Sequence, residues 1–233
     1  MKLTKGIKIN VTIYLVFILV ATIGMYYGRS ISGSHSFLRV WDWTTLFILL
    51  AGIPFCFLQT HSRLPDFVDE KVSAYYRFLL PALIGVVFGV LDVVVIKLIM
   101  HPEPYSELPP FLQPFPYSLF LYFSGAFDVE VFYRFIPITI LLLIGARFKD
   151  GKYYNQFFWA GAILTALREP LEQLPSGGIA LILYTLLTGI GMNFLQAIYF
   201  KKSGFLASLS VRLGHYLIWH ILLGIYVEFF ELA

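Results

Sequence analysis

The sequence predicts an all-α, polytopic transmembrane bundle of seven helices. Three observations lead there. Of the 233 residues, 58% are hydrophobic and only 13% are charged, too little polar surface to cover a water-soluble core of this size. The apolar residues fall into seven long runs separated by short polar connections, and the basic residues favour every second connection. An aromatic content of 18% suits belts at the membrane interface as well as interior packing.

The runs are Ile9–Gly28, Trp43–Leu58, Phe78–Met100, Tyr117–Ile144, Phe157–Leu174, Ile179–Phe200 and Phe205–Phe230, against the roughly 17–25 residues a spanning helix needs. The first follows Lys2, Lys5 and Lys8. It is long enough to span and has no small-residue cleavage site before Arg29, so it reads as a helix and not as a signal peptide. Cys56, in the second run, is the single cysteine; an intramolecular disulfide and a thiolate metal cluster are excluded. Between the second and third runs, Gln59–Arg77 is mixed in charge, and Asp66–Arg77 reads as a short interfacial helix. The fourth run carries Pro137 and counts as two spans, making eight, if the proline breaks it. The short fifth run ends in a polar tip, Arg168, Glu169, Pro170 and Glu172, that turns back into the protein. A single membrane domain, 1–233, accounts for the whole chain.

Lys2, Lys5, Lys8, then Arg63, Lys71, Arg77, then Arg147, Lys149, Lys152, then Lys201 and Lys202 mark alternate connections. The expected placement is a multi-pass protein of the cell membrane, with the amino terminus cytoplasmic and the Glu228/Glu231 end outside. The partner expected from this pattern is the lipid bilayer. Phosphate-binding loops and dinucleotide turns are missing, and the basic residues flank spans without forming a groove, so nucleotide chemistry and nucleic-acid binding are not expected.

Ionisable groups inside apolar spans each cost on the order of 2.5–3.5 kcal/mol on insertion scales, so they mark pairing or function. They are Asp92 in the third run, Asp128, Glu130 and Arg134 in the fourth, Arg168, Glu169 and Glu172 in the fifth, and Arg212, His215 and His220 in the seventh. Glu130 and Arg134 share a helical face, as do Arg212 and His215. His220, five residues beyond His215, points away from it on a regular helix and reads as structural. Asp92 reads as a cap or as a partner for one of the arginines. A pocket holding Glu130, Arg134, Glu169, Arg168 and His215 is suited to activating water, with Asp128, Arg212 and His220 in support. A carboxylate takes the proton, and Arg or His stabilises the oxyanion. For Glu130 and Arg134 alone, a structural ion pair is an equal reading.

The stretch from Gly125 through Asp128, Glu130, Phe132 and Tyr133 to Arg134 resembles the E-E-x-x-x-R motif of the CAAX-protease and bacteriocin-processing family of intramembrane proteases. Gly189 to Gly204 and on to Trp219 and His220 resembles that family's run into its last histidine. The likeness covers about residues 124–224. It implies an intramembrane endopeptidase acting on a membrane-anchored or prenylated peptide, with Glu130 activating water, Arg134 orienting it and His215 at the oxyanion. Bound metal is not expected and no cofactor is implied. Three positions depart from the pattern. Val129 stands where the family has its first Glu, with Asp128 turned about 100° away on a helix. The fifth run has no histidine. Trp219 or Gly224 stands where Asn or Asp would follow the late histidine. The departures imply a rearranged site, or a member that has lost proteolysis and binds a membrane partner, as an immunity protein does. A small transporter is the weaker alternative, since no inverted repeat accompanies the intramembrane carboxylates.

Overall fold

The computed structural model describes residues 4–34 and 37–232; Lys2, counted above among the cytoplasmic basic residues, lies outside them. The described residues form seven long helices and no strand: α1 (Lys5–Ile31), α2 (Trp43–Ser62), α3 (Tyr75–Met100), α4 (Tyr117–Gly151), α5 (Tyr154–Glu172), α6 (Ile179–Ser203) and α7 (Phe205–Glu231). All but α5 are long and apolar enough to cross a membrane. The protein is therefore an all-α membrane protein with six apolar spanning-length helices. The seventh, α5, is 19 residues long but carries the polar tip.

Local chemistry sets several boundaries. Thr4 accepts the Ile7 amide at the start of α1, and Asp42 accepts the Thr45 amide at the start of α2 (2.8 Å), satisfying donors that the first turn leaves free. That amide bond also holds the Asp42 carboxyl below its ordinary range. Gly204, at φ 87°, makes the abrupt corner between α6 and α7.

Pro137 does not split the fourth run. α4 runs unbroken through the proline to Arg147, with a π-helical turn at Val131–Phe135 ahead of it, and kinks only in its last turn, where Lys149 and Asp150 take positive φ. A second π turn, Tyr75–Leu79, precedes Pro81 in the same way. Proline has no amide proton and crowds the carbonyl four residues back, and the wider turn relieves both.

The segment Asp66–Ser73 is turn and coil; the interfacial helix expected there is not formed, and helix begins only at Ala74. Its polar groups are used elsewhere. Asn10 of α1 donates to the Asp66 carboxylate (2.8 Å) and accepts the Phe67 amide (2.8 Å). Phe67 is thereby inserted between Phe135 and Phe205, with no exposed surface.

The main core lies between α1, α2, α4, α6 and α7 and is built on Tyr14, Phe67, Phe127, Phe135, Phe200 and Phe205. On the other side α3 and α7 meet at backbone distance. A Cβ on Gly85 would lie 1.8 Å from the Val211 carbonyl oxygen, and one on Gly214 2.1 Å from that of Ala82. Both α3 and α6 lie against α7. This arrangement brings the polar residues of α4, α5, α6 and α7 to one point inside the bundle.

Candidate functional site

Glu130 and Arg134 of α4, Glu169 of α5 and Arg212 of α7 converge in the interior, joined by Asn193 and Gln196 of α6 and Ser208 of α7. Arg212 is the hub. It grips Glu169 with two parallel bonds of 2.6 Å, from Nη1 to Oε1 and from Nη2 to Oε2. Its Nε reaches Glu130 Oε1 at 3.3 Å, and Nη2 also donates to Asn193 at 2.8 Å. Arg134 donates to Glu169 at 3.0 Å and to Gln196 at 2.9 Å. Gln196 passes the bond on to Glu130 at 2.5 Å, and Ser208 donates to the other Glu130 oxygen. The Glu130–Arg134 pair read from sequence is the longest ionic contact in the set, at 3.7 Å.

Two carboxylates and two guanidiniums sum to zero charge. In a low-dielectric interior, attraction outweighs desolvation only when geometry is good and the remaining polar atoms are bonded; the amides and Ser208 supply most of those bonds, and Arg134 Nε is left without a partner among the described residues. Glu130 is fully buried, with both oxygens engaged.

The other expected site residues lie elsewhere. Arg168 is on the outer face of α5, half exposed. It pairs with Glu172 at 2.8 Å and stacks over the Tyr133 ring, whose hydroxyl donates to Glu172. The expectation that Arg168 joins Glu169 in the pocket fails because the two adjacent residues are turned about 100° apart on the helix. His215 does not meet Glu130. It pairs with Asp92 of α3, Nε2 to Oδ2 at 2.7 Å, and Tyr184 of α6 donates to the other Asp92 oxygen at 2.9 Å. Asp92 thus pairs with a histidine and with none of the arginines.

His220 was expected to point away from His215. Both line one cavity of about 530 Å³, with ring centroids 6.2 Å apart. The cause is a π turn at Leu217–Leu222, next to His215. Its bonding period of five residues brings the two histidines toward one side. His220 stacks on Tyr122 and has Nδ1 2.9 Å from the Phe111 carbonyl. Asp128 lines a neighbouring cavity of about 500 Å³ with Arg39, Val129 and Tyr122; Phe111, Gln173, Tyr216 and His220 border both.

Glu169 and Arg212 face the larger cavity, whereas Glu130 and Arg134 line neither. Over this region lies the segment His101–Pro116, which is strapped down at several points. Phe111 stacks on Trp219 (5.3 Å), Glu228 accepts the Phe115 amide, and Glu231 accepts the Tyr105 amide, each at 2.8 Å. Buried Lys97 ties the same corner, 3.0 Å from Glu231 and 4.2 Å from the Tyr105 ring centroid.

Asn193, Gln196 and Ser208 were missed in the sequence because neutral polar residues are common in apolar helices and carry little insertion cost. Among the described residues, no three His, Cys, Asp or Glu side chains gather as a metal site.

No protein-family model, no curated protein and no solved structure matches this chain.

Proposed function

We propose that this is a non-catalytic, membrane-embedded binding protein. It uses a scaffold like that of the CAAX-protease and bacteriocin-processing family, with the hydrolytic centre replaced by a closed ion-pair network. The carrying observation is the state of Glu130. A general base needs a water within about 2.6–3.2 Å, directly or through one water. Glu130 has no exposed surface, borders neither cavity, and its oxygens take bonds from Gln196, Ser208 and Arg212. Of the two carboxylates in the network, the one that borders the cavity, Glu169, is clamped by both arginines. An endopeptidase built on Glu130 would have to break this network in each turnover, and Val129 offers no second carboxylate.

What remains for function is the cavity beneath the 101–116 segment. Its volume of about 530 Å³ falls in the range of small-ligand sites. Ile96, Phe111, Leu181, Met192 and Trp219 supply apolar wall; Asp92, His215, Asn193 and Arg212 supply polar groups. With the amino terminus cytoplasmic, as the basic residues favour, this cavity lies in the outer half of the membrane.

The test is ligand retention by purified protein in lipid nanodiscs, read by native mass spectrometry. Wild type is expected to retain a bound small molecule that Trp219→Ala, which opens the cavity wall, releases. Empty wild-type protein under all lipid compositions would overturn the binding function.

A further inference from the structure

We infer that the Asp92–His215 pair is the recognition point of this cavity and that the ligand is a neutral lipid carrying a hydroxyl head, an inference that rests on the binding function proposed above. His215 is only 8% exposed, and its Nδ1 is a buried nitrogen with no partner among the described residues. A buried nitrogen of this kind is costly to leave unbonded. The opposite ring nitrogen is committed to Asp92, and Tyr184 holds the far oxygen of that carboxylate. The ring is therefore fixed in place at the cavity wall with one nitrogen unbonded.

The ligand's chemistry follows from what is already paired nearby. Arg212, the cation on this wall, is engaged by Glu130, Glu169, Asn193 and Gln196. Glu169 is matched by two arginines, and Asp92 by His215. No uncompensated cation in this wall is offered to a phosphate or carboxylate, and no free carboxylate to an amine. A hydroxyl both donates and accepts, so it satisfies Nδ1 whichever protonation state the ring adopts.

The route to the site fits a chain molecule. α3 and α6 each lie against α7, and between them a crevice of about 100 Å³ runs along Phe88, Asp92, Thr188 and Met192 to His215. The outer faces of both helices here are apolar and exposed, at Val87 and Leu91 on one side and Leu183 and Leu187 on the other. From Leu181 to Asn193 the cavity follows α6 for twelve residues, about 18 Å at 1.5 Å per residue. A hydroxyl-headed acyl or prenyl chain entering between α3 and α6 would place its oxygen at the dyad and its tail along Leu181 and Met192.

The full chain in phosphatidylcholine nanodiscs is to be photolabelled with three probes bearing a diazirine on the chain: dodecanol, dodecane and dodecyl phosphate. The expected result is labelling at Met192 or Trp219 by the alcohol, about tenfold above both other probes. His215→Phe should erase the difference between alcohol and alkane, and Asp92→Asn should reduce it. A second readout, independent of the folding of His215→Phe, uses wild type alone. Dodecanol should shift the ¹⁵N resonance of His215 Nδ1, and dodecane should leave it in place.

Equal labelling by alcohol and alkane, preference for the phosphate, or an unmoved Nδ1 resonance each overturns the hydroxyl assignment. If the probes fail but a co-purified lipid occupies the cavity, the ligand class falls and the binding function stands. If nothing occupies it, both fall.

Discussion

Arg212 holds two carboxylates, two side-chain amides and the fold of four helices in one place, so its removal has a large consequence. Arg212→Met leaves two buried carboxylates, Glu169 and Glu130, sharing the single cation Arg134, which is 3.0 Å from the first and 3.7 Å from the second. Breaking a buried pair from one side costs about 3–5 kcal/mol, and a comparable loss of stability is expected in thermal unfolding of detergent-solubilised protein. Combining it with Glu169→Leu removes the orphaned charge, and part of the lost stability should return. A double variant less stable than both singles would contradict the pairing. Arg168→Ala is the contrasting case. Its ion pair with Glu172 is half exposed, and such pairs contribute about 0–1 kcal/mol, so its unfolding curve should nearly overlay that of wild type. At this scale the charged members of the site were legible in the sequence, because Glu130, Glu169 and Arg212 are out of place in apolar runs. Their pairing was not. Helical periodicity relates residues within one helix, while Arg212 chooses Glu169 and His215 chooses Asp92 across helices.

Helix existence was legible for the same reason that pairing was not. Each of the seven runs carries its own apolar signal, and seven helices stand over them. Local widening was hidden, because a π turn has no composition of its own. Prolines at 81 and 137 mark two of the turns, but nothing comparable marks Leu217–Leu222, which moves His220 into the cavity. The Asp66–Arg77 helix failed because Asn10, more than fifty residues away, takes the hydrogen bonds of Asp66 and Phe67. Helices α3 and α7 meet at backbone distance. At Gly85 even a methyl group would collide with the Val211 carbonyl oxygen at 1.8 Å. Overpacking of this kind costs about 1–3 kcal/mol or more, and here it presses on backbone that cannot rotate away. Gly85→Val should lower the unfolding temperature markedly and should also weaken the Asp92–His215 contact, since both residues sit on the helices being forced apart. The ¹⁵N spectrum of His215 reports that second effect. Gly125→Ala, where no atom lies within 4 Å of the added carbon, serves as the tolerant control.

At the scale of the whole molecule, two interior polar clusters tie the helices together around the cavity. Glu130, Arg134, Glu169 and Arg212 form a neutral knot joining α4 to α7, and Asp92, Tyr184 and His215 form a smaller one joining α3, α6 and α7. Between them lies a cavity roofed by the 101–116 segment and closed by contacts to the end of α7. A membrane bundle gains little from apolar contact alone, because lipid is as apolar as leucine, and close glycine contacts and internal polar bonds take over that role. The same need explains why a carboxylate and arginine motif can resemble a hydrolytic one and still serve as structure.

The most direct measurement compares the termini of all membrane proteins in cells expressing wild type or Glu130→Gln at matched levels. Identical sets of termini are expected, since Glu130 is fully buried, borders neither cavity and has both oxygens bonded within the ion-pair network. Cleaved termini present with wild type and lost with Glu130→Gln would contradict this and make the knot a working hydrolytic centre.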